Sequence, residues 1–228
     1  MSVATPVFTR ETFRFFKELA ANNRKDWMDA NRERYQETVV QPFRRLLDEV
    51  APAVVKLDAR LGMGRGSASF SRINRDIRFA KDKTPYRPQM YLKFAAPLAG
   101  EGDAGELYVG LSATTTTVGF RIYGGPKRKD SAIGKIAESR VERDPRWLAK
   151  QKARLSRKYE SYWYAVEKKD WREQKGWPTS LDDWKRLHGW IVRRKLKPAA
   201  ATNAGFTREI AGIFRDVYPL LQFTSLSK

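Results

Sequence analysis

Between Arg72 and Arg87 the chain sets six cations, Arg72, Arg75, Arg78, Lys81, Lys83 and Arg87, around two carboxylates, Asp76 and Asp82. Guanidinium forks and ammonium groups at that density suit the oxygens of a phosphate or carboxylate. The six cations, with Tyr86, are therefore candidate ligand-binding residues. Asp76 and Asp82 would then orient the cations or act as a general acid/base pair, which makes them candidate catalytic residues. The competing reading is structural: the charges pair with one another and pin a loop to its neighbours. Exposed pairs of that kind contribute only ~0–1 kcal/mol each, and ion-pair networks share their appearance with active sites. Two carboxylates flanked by arginines make a poor cation site, so no metal is expected. Nothing in the sequence calls for a cofactor.

Those side chains need an element to hold them. Residues alternate from Ser69 to Phe79, which predicts a strand. Ser71, Ile73, Arg75, Ile77 and Phe79 would face the core. Phe70, Arg72, Asn74, Asp76 and Arg78 would face outward. A loop from Ala80 to Arg87 follows, and Pro85 stops the strand by removing a donor and biasing Thr84 towards extended backbone.

Upstream, Thr9 reads as the cap of a helix running to about Ala21, with Phe8 and Phe13 in staple positions. Asn22 and Asn23 break it, and a second helix starts near Lys25 with Trp27 on it. Asn22, Asn23 and Trp27 join the ligand-binding candidates, although capping backbone groups is what Asn does most readily at helix ends. A third helix starts at Pro42 and carries Phe43, Leu46, Leu47, Val50, Val54 and Leu57, with a kink or break expected at Pro52. Gly62-Met63-Gly64-Arg65-Gly66 reads as a flexible connector. A nucleotide loop would follow a strand and open a helix, the reverse of the order here.

The run RINRDIRFAKDKTPYR, together with LAANNRKDWMDANRERYQETVVQPF upstream, resembles the domain-of-unknown-function 2461 family. The resemblance is clear to about Gly125 and looser beyond. It implies one α+β domain of bacterial or fungal type, and it brings no activity with it.

Composition bounds the rest. The 228 residues include 41% hydrophobic and 12% aromatic side chains, enough for a packed core. There is no Cys and a single His, His188, which excludes disulfides, thiolate sites and histidine metal clusters. No apolar run approaches the ~20 residues of a membrane span. The first residues lack a signal-peptide pattern, so a cytoplasmic protein without membrane contact is expected. The net charge is +19, and residues 121–200 hold 23 Lys and Arg against 10 Asp and Glu. Such a field attracts polyanions, nucleic acid among them.

After the charged loop, strands are expected at Met90–Ala95, Glu106–Ala113 and Thr115–Tyr123, joined as an antiparallel meander. Gly124-Gly125-Pro126 ends it, and the triplet Lys127-Arg128-Lys129 reads as a solvated turn. Helices follow around Ile133–Ala137 and Trp147–Leu155. A short strand is expected near Tyr162–Val166, a helix capped by Ser180 up to His188, a strand over Gly189–Leu196 and an amphipathic helix capped by Thr207. Six of the seven tryptophans lie between Trp147 and Trp190. They are either a stacking platform for bases or core residues, the usual place for large aromatics. His188 reads as a packing or capping residue.

The expected fold is α+β, one domain over residues 1–228: N-terminal helices, a central mainly antiparallel sheet, C-terminal helices, and a basic, Trp-rich part from about residue 126. The expected function is a binding module for a phosphate-bearing ligand or nucleic acid through the basic strand-loop. The alternatives are an enzyme with an Asp base acting on a phosphorylated or carboxylated substrate, and a structural or interaction protein.

Overall fold

A computed structural model of the protein describes residues 5–61, 70–95, 105–123, 139–167 and 170–224. The expected glycine connector at 62–66, the turn at 124–126, the basic triplet 127–129 and the helix around 133–137 lie outside those residues.

Helix α1 (Arg10–Ala21) buries Phe13, Phe15, Phe16 and Leu19, and Thr9 stands at its N-cap position. Asn22 closes it, with its backbone N–H on Glu18 O (2.9 Å) and its side-chain amide on the same carbonyl (3.0 Å). After α2 (Lys25–Ala30) and α3 (Arg32–Tyr35), a π-helical turn, Gln36–Val40, leads without a break into α4 (Gln41–Leu57). α4 thus begins within a residue of the expected Pro42, which sits in its first turn, but the π-helical turn before it was not foreseen. Pro52 does not end it: α4 continues to Leu57, because Val50, Ala51 and Val54 on either side of the proline are buried in the core. Packing there outweighs one missing backbone bond.

Asp58, directly after α4, ties that helix to the C-terminal one. Its carboxylate accepts from Arg60 Nε and Nη2 (3.0 and 2.8 Å), from Arg60 N (2.9 Å) and from Tyr218 Oη (2.9 Å). The Arg60 guanidinium, Arg60 N–H and the Tyr218 hydroxyl pull the Asp58 carboxyl down to about 2. A depressed folded-state pKa stabilises above the unfolded value and is lost as pH falls through the folded one. Asp58→Asn should therefore cost about 1–2 kcal/mol at neutral pH, with Arg60's exposure limiting the figure. The gap between the two proteins should close as pH drops from about 4 towards 2, which acid melts of both will show.

The sheet is six-stranded, entirely antiparallel and ordered β1-β2-β3-β6-β4-β5. Its strands are β1 (Gln89–Ala95), β2 (Glu106–Ser112), β3 (Thr116–Tyr123), β4 (Glu160–Glu167), β5 (Asp170–Lys175) and β6 (Leu187–Leu196). The first three form the expected meander. β6 inserts between β3 and β4. Helix α5 (Pro145–Leu155) is capped by Asp144, and α6 (Leu181–Arg186) by Ser180 in a capping box with Asp183. Short α7 (Pro198–Ala201) precedes α8 (Phe206–Thr224), which starts at Phe206 and so encloses Thr207 instead of being capped by it.

Alternate residues of every strand but β5 contribute to the core. Leu92 and Phe94, Leu107 and Val109, Val118 and Phe120, and Trp190 and Val192 face the helices, where Phe94 meets Phe214 of α8 at 5.7 Å. Trp163, Trp177, Trp184 and Trp190 are buried, so core packing accounts for four of the six clustered tryptophans. Among the described residues no helix is long and apolar enough to cross a membrane.

Candidate functional site

The predicted strand over 69–79 does not form. Residues 70–92 make an irregular hairpin along the edge of β1, held by bridges Phe70–Leu92 and Asn74–Tyr86. The backbone bonds are Ser71 N to Tyr91 O (2.9 Å), Arg75 N to Pro85 O (2.8 Å) and Arg87 N to Ile73 O (2.8 Å). Short-range polar contacts displace the ladder beyond Arg75, as Asp side chains often do. Asp76 accepts from Arg78 N (3.2 Å), Asp82 accepts from Thr84 N (2.9 Å), and Lys83 Nζ donates to Ile77 O (3.0 Å) and Arg78 O (3.4 Å). The chain turns outward, and Phe79, expected in the core, is 94% exposed. Ile73 alone of the predicted inner face is buried; Ser71, Arg75 and Ile77 are half-buried.

Asn23 fixes this hairpin to the helical layer. The bridge to Asn74 leaves both backbone groups of Tyr86 facing away from its hairpin partner. Asn23 Nδ2 donates to Tyr86 O (2.8 Å) and Asn23 Oδ1 accepts from Tyr86 N (3.0 Å), as a neighbouring strand would. Tyr86 itself is buried, and Trp27 is half-buried with its ring 5.6 Å from Phe15. Asn23 thus ties the hairpin to the helical layer through Tyr86, whereas Asn22 closes α1 and Trp27 packs on Phe15 within that layer. Asn23→Ala should cost about 2 kcal/mol, since two bonds go and two backbone groups lose their partners. A drop in Tm, with faster amide exchange at Tyr86, is the expected readout.

The charges divide into two sets. Arg75 pairs with Asp82 and also reaches Thr84 Oγ1, and Arg78 grips Asp76 with Nε (3.0 Å) and Nη2 (2.7 Å). The Thr84 backbone N–H and the Arg75 guanidinium hold the Asp82 carboxyl down to about 2, and Arg78 lowers that of Asp76. Carboxylates so stabilised are weak general bases at neutral pH. Arg72, Lys81 and Arg87 are exposed, and among the described residues none has a carboxylate partner. Arg87 Nη1 donates to Arg72 O, at 3.4 Å.

A second polar surface escaped the sequence reading. The sheet face turned away from the core carries Tyr91 and Lys93 of β1, Tyr108 of β2, Arg121 and Tyr123 of β3, Arg193 and Lys195 of β6, and Tyr162 and Tyr164 of β4. Arg121 lies 4.7 Å from the Tyr91 ring and 4.5 Å from that of Tyr108, and pairs with Glu106. Arg193 lies 5.0 Å from the Tyr162 ring and pairs with Glu160. Burial disfavours the charge on Arg193, but Tyr108, Glu160 and Tyr162 outweigh it and raise its pKa above the ordinary value. Burial also raises the pKa of Tyr108 and Tyr162, so both phenols stay protonated at neutral pH. A shallow depression bounded by Tyr91, Gly110, Thr117, Arg193 and Lys195 opens beside them. The period-two alternation of polar and aromatic residues within each strand was a signal for this face. The register that brings the strands together was not in it.

His188 sits in β6, not at a helix end. The pairing steps from Tyr164–Gly189 to Ala165–Leu187 and leaves His188 in a bulge. It is buried, with Nδ1 2.9 Å from Arg186 O, and its Nε2 has no hydrogen-bond partner among the described residues.

Helices on one face of an antiparallel sheet, with a cation-rich hairpin along its edge, make this an α+β protein. The chain belongs to the DUF2461 family, described as a conserved hypothetical protein, whose model matches residues 11–223. The match runs far beyond Gly125, where the resemblance loosens to the eye. A search among curated proteins finds no match.

Proposed function

We propose that this protein is a binding module for a phosphate-bearing ligand, and that the hairpin between Phe70 and Leu92 provides the contact. The observation that carries the reading is the trio Arg72, Lys81 and Arg87, exposed and, among the described residues, without acidic partners, on a hairpin where Arg75 and Arg78 are matched by Asp82 and Asp76 and the Lys83 ammonium is held by backbone carbonyls. Arg75, Asp76, Arg78, Asp82 and Lys83 then set the shape of the tip, and the unpaired trio meets the anion. Phe79 projects from the same tip with Arg78 5.9 Å from its ring, which adds an apolar contact for a ligand larger than phosphate. The net charge of +19 favours encounter with polyanions, so nucleic acid fits the reading as well as a small phosphate ester does. An Asp-based hydrolytic site fits less well, because both carboxylates are stabilised in their charged form.

The test is a thermal-shift series with inorganic phosphate, nucleotides, sugar phosphates and short oligonucleotides. A ligand at about a hundred times its Kd should stabilise the native state by about 2.7 kcal/mol. The reading requires that shift to vanish when Arg72, Lys81 and Arg87 are all replaced by Gln. A shift that survives the triple substitution, or no shift with any probe, contradicts it.

A further inference from the structure

We propose a second binding surface: the end of the open sheet face formed by Tyr123, Tyr164 and Trp171 is a stacking platform for the bases of single-stranded nucleic acid. The three rings form a continuous cluster, with centroids 6.3 Å apart for Tyr123–Tyr164, 6.2 Å for Tyr123–Trp171 and 5.6 Å for Tyr164–Trp171. Tyr123 is 41% exposed and Trp171 37%, whereas most large aromatics of this protein are buried. The strand beneath is shaped to receive them. A Cβ on Gly189 would come within 2.9 Å of Tyr123 Cδ1 and 3.3 Å of Trp171 Cζ3, so the absence of a side chain lets the rings settle against β6.

Charge complementarity selects the occupant. Lys175 lies in register with Tyr162, two residues along the strand from Glu173, whose carboxylate accepts from the Tyr164 hydroxyl (3.4 Å). Lys195, in register with Thr117, stands further along the same face, both lysines are exposed, and Arg193, paired with Glu160, lies between them on β6. Residues 121–200, which supply most of this surface, hold most of the chain's excess positive charge. Partly exposed rings on a sheet face that also carries lysines match what an unpaired strand presents, bases free to stack and a phosphate backbone to follow. In a duplex the bases are stacked within the helix and out of reach of the rings. None of these residues belongs to the hairpin, so this inference stands or falls apart from the preceding one.

The experiment is fluorescence anisotropy of labelled oligo(dT) and oligo(U) with the full chain, with a duplex and inorganic polyphosphate as competitors. Single strands should bind more tightly than duplex. Trp171→Ala and Tyr123→Ala should each weaken binding about tenfold, while Trp171→Phe and Tyr123→Phe retain it. Trp171→Leu keeps an apolar side chain without a π face and should behave as Trp171→Ala does, which separates stacking from loss of fold. Parental affinity in Trp171→Leu, or displacement by polyphosphate and duplex as readily as by a single strand, overturns the proposal. If the hairpin triple variant alone abolishes binding while the ring variants do not, the hairpin is the contact and the platform is not.

Discussion

Gly119→Ala is expected to destabilise the protein by about 3 kcal/mol or more, lowering Tm by roughly 10 °C. Gly119 sits in the middle of β3, paired with Tyr108 on one side and Arg193 on the other. A Cβ there would fall 2.6 Å from Arg193 Cα and 2.8 Å from Arg193 Cβ, and closer still to the Val192 carbonyl oxygen. Those are mostly backbone atoms of the adjoining strand, so no rotamer change relieves the clash. β3 and β6 would have to separate at the centre of the sheet. Gly212→Ala is the control: nothing lies within 4 Å of its would-be Cβ in α8, and it should stabilise by about 0.5–1 kcal/mol. Comparable losses in the two variants would refute the close-approach account.

Trp190→Ala should cost about 4 kcal/mol. The Trp190 ring is fully buried among Phe120 (5.6 Å), Trp177 (5.4 Å) and Trp184 (5.3 Å), all edge to face. Its Nε1 donates to Ser161 Oγ (3.0 Å), and that hydroxyl in turn donates to Gly176 O (3.0 Å). Removing the indole leaves a cavity between β6 and α6 and takes away a hydrogen bond with Ser161. Trp190→Phe keeps an aromatic ring in the site and gives up the bond and part of the ring volume, so its loss should be clearly smaller than that of Trp190→Ala. Denaturant melts of the three proteins decide the matter. A small effect for Trp190→Ala would mean that the tryptophan-rich part is not a core.

How far the sequence carried depended on whether side-chain periodicity or long-range contact decided each element. The periodic helices α1 and α8 and the strands β1 to β3 stand within a few residues of their expected places, because each buries one face. β5, DWREQK, offers no apolar alternation; it is an edge strand held by its bonds to β4, so nothing local announces it. The insertion of β6 between β3 and β4 follows from register, which residue types alone do not fix. Over 70–79 the alternation was present, but Asp76, Asp82 and Lys83 bond to nearby backbone and turn the tip away from the sheet. The charged cluster was legible as a cluster. Its division into Arg75 and Arg78, paired with carboxylates, and Arg72, Lys81 and Arg87, without a carboxylate partner among the described residues, was not, since partner choice depends on where the tip folds. Asn23 was visible as a residue at a helix junction, yet its partner lies sixty-three residues away at Tyr86.

The most direct test of the hairpin reading is the salt dependence of polyanion binding by the parent and by the Arg72→Gln, Lys81→Gln, Arg87→Gln triple variant. Each cation that neutralises a phosphate contributes about 0.7–0.9 to the slope of log K against log salt. The account predicts a weaker affinity in the triple variant and a slope shallower by about 2. Identical slopes and affinities in the two proteins would contradict it.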